Sequence, residues 1–296
     1  MSRIDYIYAG HHQDYQYQAI KLLKRCFDEW VDFESHYGTV FPFREESFMA
    51  FDEKGNAVGH VGLMPFAVAD GCGGLLKAAG VASVGVAPEA RRQGIADKLC
   101  CMAAEWAEKQ NFDCMPLYTG MPNVYAKSHW QIVKPNGAML IAPSEHKKPV
   151  AVWKNGSELT VNEKTQIIQS YLAIAQIPGR VLRGFDQFFH SWEWLFAMTD
   201  HQWLVDERVP GYALKLNDVL AEIAGDLDYY AQNCGVKKAF LAFEDPAYQA
   251  LTARNWQEQE RESSSPECWH GESAMNYTLP GRNIPANFFF PLGDKF

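Results

Sequence analysis

The chain has 296 residues, a formal net charge of −9, and 47% hydrophobic against 21% charged residues. That balance excludes a disordered, collagenous or low-complexity chain, and it argues against a general nucleic-acid binder, whose phosphate contacts need clustered Lys and Arg. At roughly 150 residues per domain the length predicts two domains, and the negative field favours a cationic small substrate.

The first residues, MSRIDYIYAGHHQ, show no basic stretch leading into an apolar one, so no secretory signal is expected. No apolar run of about 18 residues survives, because Asp70 and Lys77 interrupt the most apolar region. The seven cysteines are scattered, with no Cys-x-x-Cys pair and no Cys/His spacing suited to zinc. His11, His12 and His270 likewise lack partners at ligand spacing. The expectation is therefore a cytoplasmic protein with reduced thiols, no metal and no membrane contact.

In chain order, Ile20, Leu23 and Phe27 stand at helical spacing and predict a helix over 15–34. Residues 46–52 and 57–69 read as strands joined by a turn at Asp52-Glu53-Lys54-Gly55-Asn56. Residues 78–87 (AAGVASVGVA) form an apolar, buried strand that stops at Pro88. Ile95, Leu99, Met102 and Trp106 share one face of a helix over 94–109. A buried strand over 113–118 follows, then a loop over 119–123. The polar stretch 143–158 reads as a domain link. Beyond it, helices are expected over 162–176 and 191–198, and paired strands around 201–207 and 211–216. Residues 219–230 lead to a helix, 236–243 form a strand and 246–255 a short helix. The tail 280–296 carries three prolines and the run Phe288 to Phe290, aromatic surface that should pack down.

Chemistry concentrates where the strand ending at Pro88 meets the helix starting after Gly94. A cationic glycine turn there points backbone N–H groups and a helix N-terminus at one spot, which suits a pyrophosphate. Arg91 and Arg92 add charge, and Gly94 permits close backbone approach. Alone, Arg-x-x-Gly-x-Ala also fits a solvated loop.

Arg91, Gly94 and Ala96, after a strand and opening a helix, resemble the signature of the GNAT superfamily of acyl-CoA N-acyltransferases. Tyr125-Ala126-Lys127-Ser128-His129-Trp130, 34 residues on, resembles that family's second element, with His129 in place of the usual glycine. The wider pattern is similar to Eis-type tandem GNAT proteins without their third domain. It is specific over 45–135, with 78–88 resembling the cofactor strand, and diffuse over 160–260, through Arg183, Trp192 and Gly211-Tyr212. The resemblance implies an α/β (α+β) fold of two GNAT-like domains, each a mixed, mostly antiparallel sheet flanked by helices. Residues 1–145 would hold acetyl-CoA. Residues 146–296 would form a degenerate copy, lacking the arginine–glycine turn and so not binding CoA.

The same resemblance assigns roles. Backbone at Val84, Gly85 and Val86, on a splayed or bulged strand, would serve pantetheine and the thioester carbonyl. Arg91, Arg92, Gln93, Gly94, Ile95 and Ala96 would hold the pyrophosphate, and Thr119, Gly120 and Asn123 the passing arm, although a plain turn explains these three equally well. Tyr125 would be the general acid, since a phenol can protonate a CoA thiolate. The base is open between an acidic cluster (Asp28, Glu29, Asp32, Glu34) and the terminal carboxylate of Phe296, a role that Eis-type proteins imply. The expected activity is acetyl transfer from acetyl-CoA to a small or peptidic primary amine by direct attack in a ternary complex. The alternative is a catalytically inactive acyl-CoA-binding sensor or regulator. Homo-oligomerisation is left open.

Overall fold

A computed structural model describes residues 3–27, 46–133, 136–144, 152–183, 196, 201–259, 267–269, 272–285 and 288. Strand β1 (Asp5–Gly10) leads into helix α1 (Gln13–Cys26), which buries Ala19, Leu22 and Leu23. The helix stops at Cys26, where the backbone turns extended at Phe27 (φ −136°), and the rest of the span expected to be helical, 28–34, lies outside the described residues. Strands β2 (Glu46–Phe51) and β3 (Ala57–Ala69) are joined at the expected turn. There the Asp52 carboxylate accepts from the backbone N–H groups of Lys54 (2.9 Å) and Asn56 (2.8 Å). Strand β4 (Leu75–Val86) precedes helix α2 (Ile95–Lys109), which buries Ile95, Leu99, Ala103 and Ala107 at four-residue intervals. Strand β5 (Cys114–Thr119) is followed by a short helix α3 (Pro122–Ala126). Of the stretch 119–123, expected to be a loop, only Gly120 and Met121 connect, while Thr119 ends β5 and Pro122 pre-sets the first turn of α3.

Next come β6 (Gln131–Ile132), β7 (Gly137–Ile141) and β8 (Lys154–Asn155). Helix α4 (Val161–Tyr171) is opened by a capping box in which Thr160 Oγ1 accepts from the Glu163 N–H (3.1 Å). It stops five residues before the expected end at 176, giving way to turns. Strands β9 (His201–Asp206), β10 (Val209–Leu216) and β11 (Val219–Gly225) precede helix α5 (Leu227–Asn233). The chain continues through β12 (Lys238–Ala242), α6 (Pro246–Thr252), β13 (Gln257–Glu258), β14 (Glu267–Trp269) and β15 (Glu272–Thr278). The helix expected over 191–198 lies outside the described residues apart from position 196.

Two mixed, mostly antiparallel sheets result. The first runs β1-β2-β3-β4-β5-β15-β14, with β6 also on β15, and the second runs β13-β7-β12-β11-β10-β9-β8. Each contains one parallel pair, β4 with β5 and β11 with β12. Sheet membership crosses the boundary expected at 145 in both directions. β15, late in the chain, pairs with β5 at six positions from Ser273↔Thr119 to Thr278↔Cys114. β7, from before that boundary, pairs with β12 at five positions. Each half thus supplies the strand beside the other's parallel pair.

Of the tail expected to pack down, Phe288 is 3% exposed in a cluster with Phe66, Val68, Ala78, Cys114 and Ala274, and residues 286–287 and 289–296 lie outside the described residues. Cys100 and Cys101 are neighbouring free thiols on α2, one buried and one exposed. No helix among the described residues is long and apolar enough to cross a membrane.

Candidate active site

Strands β4 and β5 share a single register pair, Ala78↔Cys114. Just before it, Asp113 N–H donates to the Lys77 carbonyl (2.7 Å) and Lys77 N–H to the Asp113 carboxylate (2.8 Å). Beyond it the strands diverge, each held on its far side, β4 by ten register pairs to β3 and β5 by β15. The result is a V whose arms present backbone groups to the gap. It opens toward the carboxyl ends of two parallel strands, where α/β sheets bind ligands.

At the end of the β4 arm, Arg91 Nε donates to the Val86 carbonyl (3.2 Å), which ties the first arginine to the strand end. Arg92 (φ +65°) and Gly94 (φ +76°) are both left-handed, and Gly94 caps α2 with open space where a Cβ would stand. Among the described residues no backbone carbonyl accepts from the N–H groups of Arg92 to Asp97. Arg91, Arg92, Gln93 and Gly94 are exposed, Ile95 anchors the helix in the core and Ala96 is half-buried. These donors lie at one helix N-terminus beside two exposed arginines, an arrangement suited to an anionic ligand.

Midway along the same arm lies a bulge. His60 pairs with Gly85 and Gly62 with Ala82, so Ser83 and Val84 oppose Val61 alone, and Ser83 is left-handed (φ +51°). The expected bulge is therefore present, one residue earlier than Val84–Val86. Val84 and Val86 are half-buried and Gly85 is buried under Leu23 and Cys26 of α1.

On the β5 arm, Thr119 Oγ1 accepts from the Met121 N–H (2.9 Å), which satisfies a turn. Gly120 is exposed with nothing within 4 Å of a would-be Cβ, and Asn123 is exposed on α3. Tyr125 packs edge-on against Trp130 at 6.4 Å between ring centroids. Burial, with a smaller contribution from the Cys100 thiol, pushes its phenol well above the ordinary tyrosine value. Its hydroxyl takes no hydrogen-bond partner among the described residues, so its proton is free for another acceptor. The turn after Tyr125 closes with Trp130 N–H on the Tyr125 carbonyl (3.3 Å), and His129 adopts φ +71°. A histidine therefore keeps the left-handed turn a glycine would make. Ser128 Oγ donates to the carboxylate of Asp97 in the first turn of α2, so the tyrosine turn is tied to the start of that helix. Sequence reading missed this tether, since neither residue stands out by spacing.

The second sheet repeats the V. β11 and β12 pair only at Val219↔Lys238 and Leu220↔Ala239, and β11 bulges at Ala221. Here the arms are bridged: Arg180 contacts Glu222 on β11 (3.3 Å) and Asp245 at the start of α6 (2.7 Å). Arg183 adds a two-pronged contact to Glu222 (2.5 and 3.0 Å), and Tyr212 donates to it at 2.7 Å. Burial alone would raise the Glu222 carboxyl, but Arg183 and Arg180 hold it below its ordinary value. A shallow polar cavity of about 400 Å³ beside α4, lined by Gln166, Ser170, Glu207 and Arg208, belongs to neither V.

Phe296 and the acidic cluster Asp28, Glu29, Asp32 and Glu34 lie outside the described residues. Among the described residues no group of three His, Cys, Asp or Glu side chains is placed to hold a metal ion.

A family model described as an acetyltransferase (GNAT) domain matches residues 11–133, the span that carries the open V. A GCN5-related N-acetyltransferase from Anabaena variabilis ATCC 29413 is 16% identical, with a TM-score of 0.61 over 94% of this chain and 73% of that one. A probable N-acyltransferase from Enterococcus faecalis V583 is 14% identical, with a TM-score of 0.62 over 94% and 73%. Eis1 from Mycobacterium abscessus is also 14% identical, with a TM-score of 0.60 over 94% and 74%. At such identities these likenesses establish the fold. No curated protein matches by sequence. The family match over residues 11–133, rather than the fold alone, marks the chain as an acyltransferase. Residues 11–133 are its GNAT acetyltransferase domain.

Proposed function

We propose that this chain moves an acetyl group from acetyl-CoA to a small or peptidic primary amine by direct attack in a ternary complex. The observation that carries the reading is the V itself: after one register pair the arms part toward an anion-accepting turn on one side and an unpartnered phenol on the other. The N–H groups and guanidinium groups of 91–96 suit the pyrophosphate, and Thr119, Gly120 and Asn123 border the passing arm. The bulged backbone of 83–86 supplies donors for the thioester carbonyl, whose oxygen gains charge as the amine attacks. The C–N bond forms, the C–S bond breaks, and Tyr125 gives its proton to the departing thiolate.

The attacking amine must itself lose a proton, and the Phe296 carboxylate is proposed as its acceptor. Phe288, docked beside Ala78 and Cys114 at the narrow end of the V, supports this. The eight residues after it span at most about 26–29 Å when extended, and the bulge lies five strand residues, about 17 Å, from that end. The −9 net charge is in keeping with a cationic acceptor. His129 keeps the left-handed turn of the family element, which supports the catalytic reading over a non-catalytic sensor.

Tyr125→Phe tests the reading. Acetyl transfer across a panel of aminoglycosides, polyamines, lysine peptides and amino acids, followed by thiol release, should fall about 100-fold, with acetyl-CoA binding by calorimetry retained. Unchanged turnover would remove Tyr125 as the acid.

A further inference from the structure

His60 sits in mid-β3, fully buried, and no part of the proposed chemistry uses it. Its Nδ1 lies 2.8 Å from the Ser83 carbonyl oxygen and its Nε2 lies 3.2 Å from Ser47 Oγ. A carbonyl can only accept, so Nδ1 carries the proton, and in the neutral ring Nε2 accepts from the Ser47 hydroxyl. Opposite it in the ladder, Gly85 makes room for Leu23 and Cys26, whose side chains would lie 3.0 and 3.2 Å from any Cβ there. Helix α1 thus packs against the strand position opposite His60, and the imidazole is fully buried.

The acceptor of this bond is the bulged residue. Ser83 is a non-glycine residue in left-handed conformation, an arrangement costing about 1 kcal/mol that persists only where surroundings enforce it. Its carbonyl belongs to the same peptide plane as the Val84 N–H, and in a trans peptide the two point in opposite directions. Fixing the carbonyl toward His60 therefore fixes the direction of the Val84 N–H. The register to β3 passes from Ala82 to Gly85, which places the 83–84 peptide in the bulge.

We infer that His60 is a positioning residue for acyl transfer: through the Ser83 carbonyl it locks the 83–84 peptide and aims the Val84 N–H at the gap between β4 and β5. This rests on the acetyl-transfer reading above. His60 acts through the backbone and touches no reacting atom.

The test compares His60→Phe, which keeps the ring but loses both polar contacts, with His60→Asn, whose amide N–H can reproduce the Nδ1 donor. For His60→Phe, kcat/KM for acetyl transfer should fall about 10–100-fold while the calorimetric Kd for CoA stays within about threefold, because the contacts at 91–96 are untouched. His60→Asn should recover most of the loss. The Val84 amide resonance of the labelled protein should move in His60→Phe and return toward its original position in His60→Asn. Wild-type kcat/KM together with an unmoved Val84 resonance in His60→Phe would overturn the inference. So would a loss explained wholly by weaker CoA binding. Should the wild-type protein transfer no acetyl group, the functional reading fails instead, and the Val84 resonance still decides whether His60 holds the peptide.

Discussion

Tyr125 and His60 are both desolvated, and desolvation acts on them in opposite directions because it always penalises the charged form. The Tyr125 phenol is pushed up and keeps its proton through the alkaline range, as an acid must. The His60 imidazole is pushed down to about 4 and stays neutral. An unfolded chain would protonate His60 near pH 6.5 while the folded one resists until about 4, so its contribution is fully present above pH 6.5 and is lost as the pH falls through that window. The total is about 3 kcal/mol by pH 4. Chemical denaturation from pH 7 to 4 should show that slope, and His60→Asn should flatten it. His129 holds a left-handed conformation with no glycine to ease it. His129→Gly should therefore raise stability by about 0.5–1 kcal/mol, the relief of strain exceeding the added chain entropy. A lower melting temperature would show that the histidine makes compensating contacts.

At the scale of elements, helix α2 is seated by the absence of a side chain. A Cβ on Gly59 would lie 2.5 Å from Ile95 Cγ2, 3.0 Å from Leu99 Cδ1 and 3.2 Å from the Ala50 Cβ. Gly59→Ala should push α2 off β3, costing about 1–3 kcal/mol and weakening CoA binding along with stability. Binding unchanged in a destabilised variant would separate the helix seat from the anion site. Local signals made this region legible. Pro88 stops a β-branched run, Gly94 opens a helix, and Ile95 and Leu99 begin its apolar stripe, so strand, turn and helix follow from neighbouring residues. α1 was overextended because Phe27 continues the apolar spacing although its backbone has already turned extended. α3 was missed because five residues give no periodicity to read.

At the scale of the molecule, the exchange of β7 and β15 makes each sheet depend on chain from the other half. A fragment of residues 1–145 lacks the strand that covers β5 from Cys114 to Thr119, and it lacks Ala274, Met275 and Phe288 from the cores beneath. It should show no cooperative thermal transition and should aggregate through the bare strand edge; a sharp transition would show that the exchange is dispensable. The halves are further joined where the Ala69 N–H donates to the Arg180 carbonyl (2.9 Å) and the Leu182 N–H to the Ala67 carbonyl (2.8 Å). The segment that bridges the second V with arginines thus also pairs with the outer end of β3.

The sequence by itself determined the arginine–glycine turn, the tyrosine element and most strands and helices, because these arise from residues adjacent in the chain. Only the tertiary structure decided which strand lies beside which, that Ser83 carries the bulge with His60 beneath it, and that the second V is bridged where the first is open. Strand neighbours, buried ion pairs and a hydrogen bond across 23 residues depend on long-range packing. A lone His60 or Arg180 carries no local periodicity to announce it.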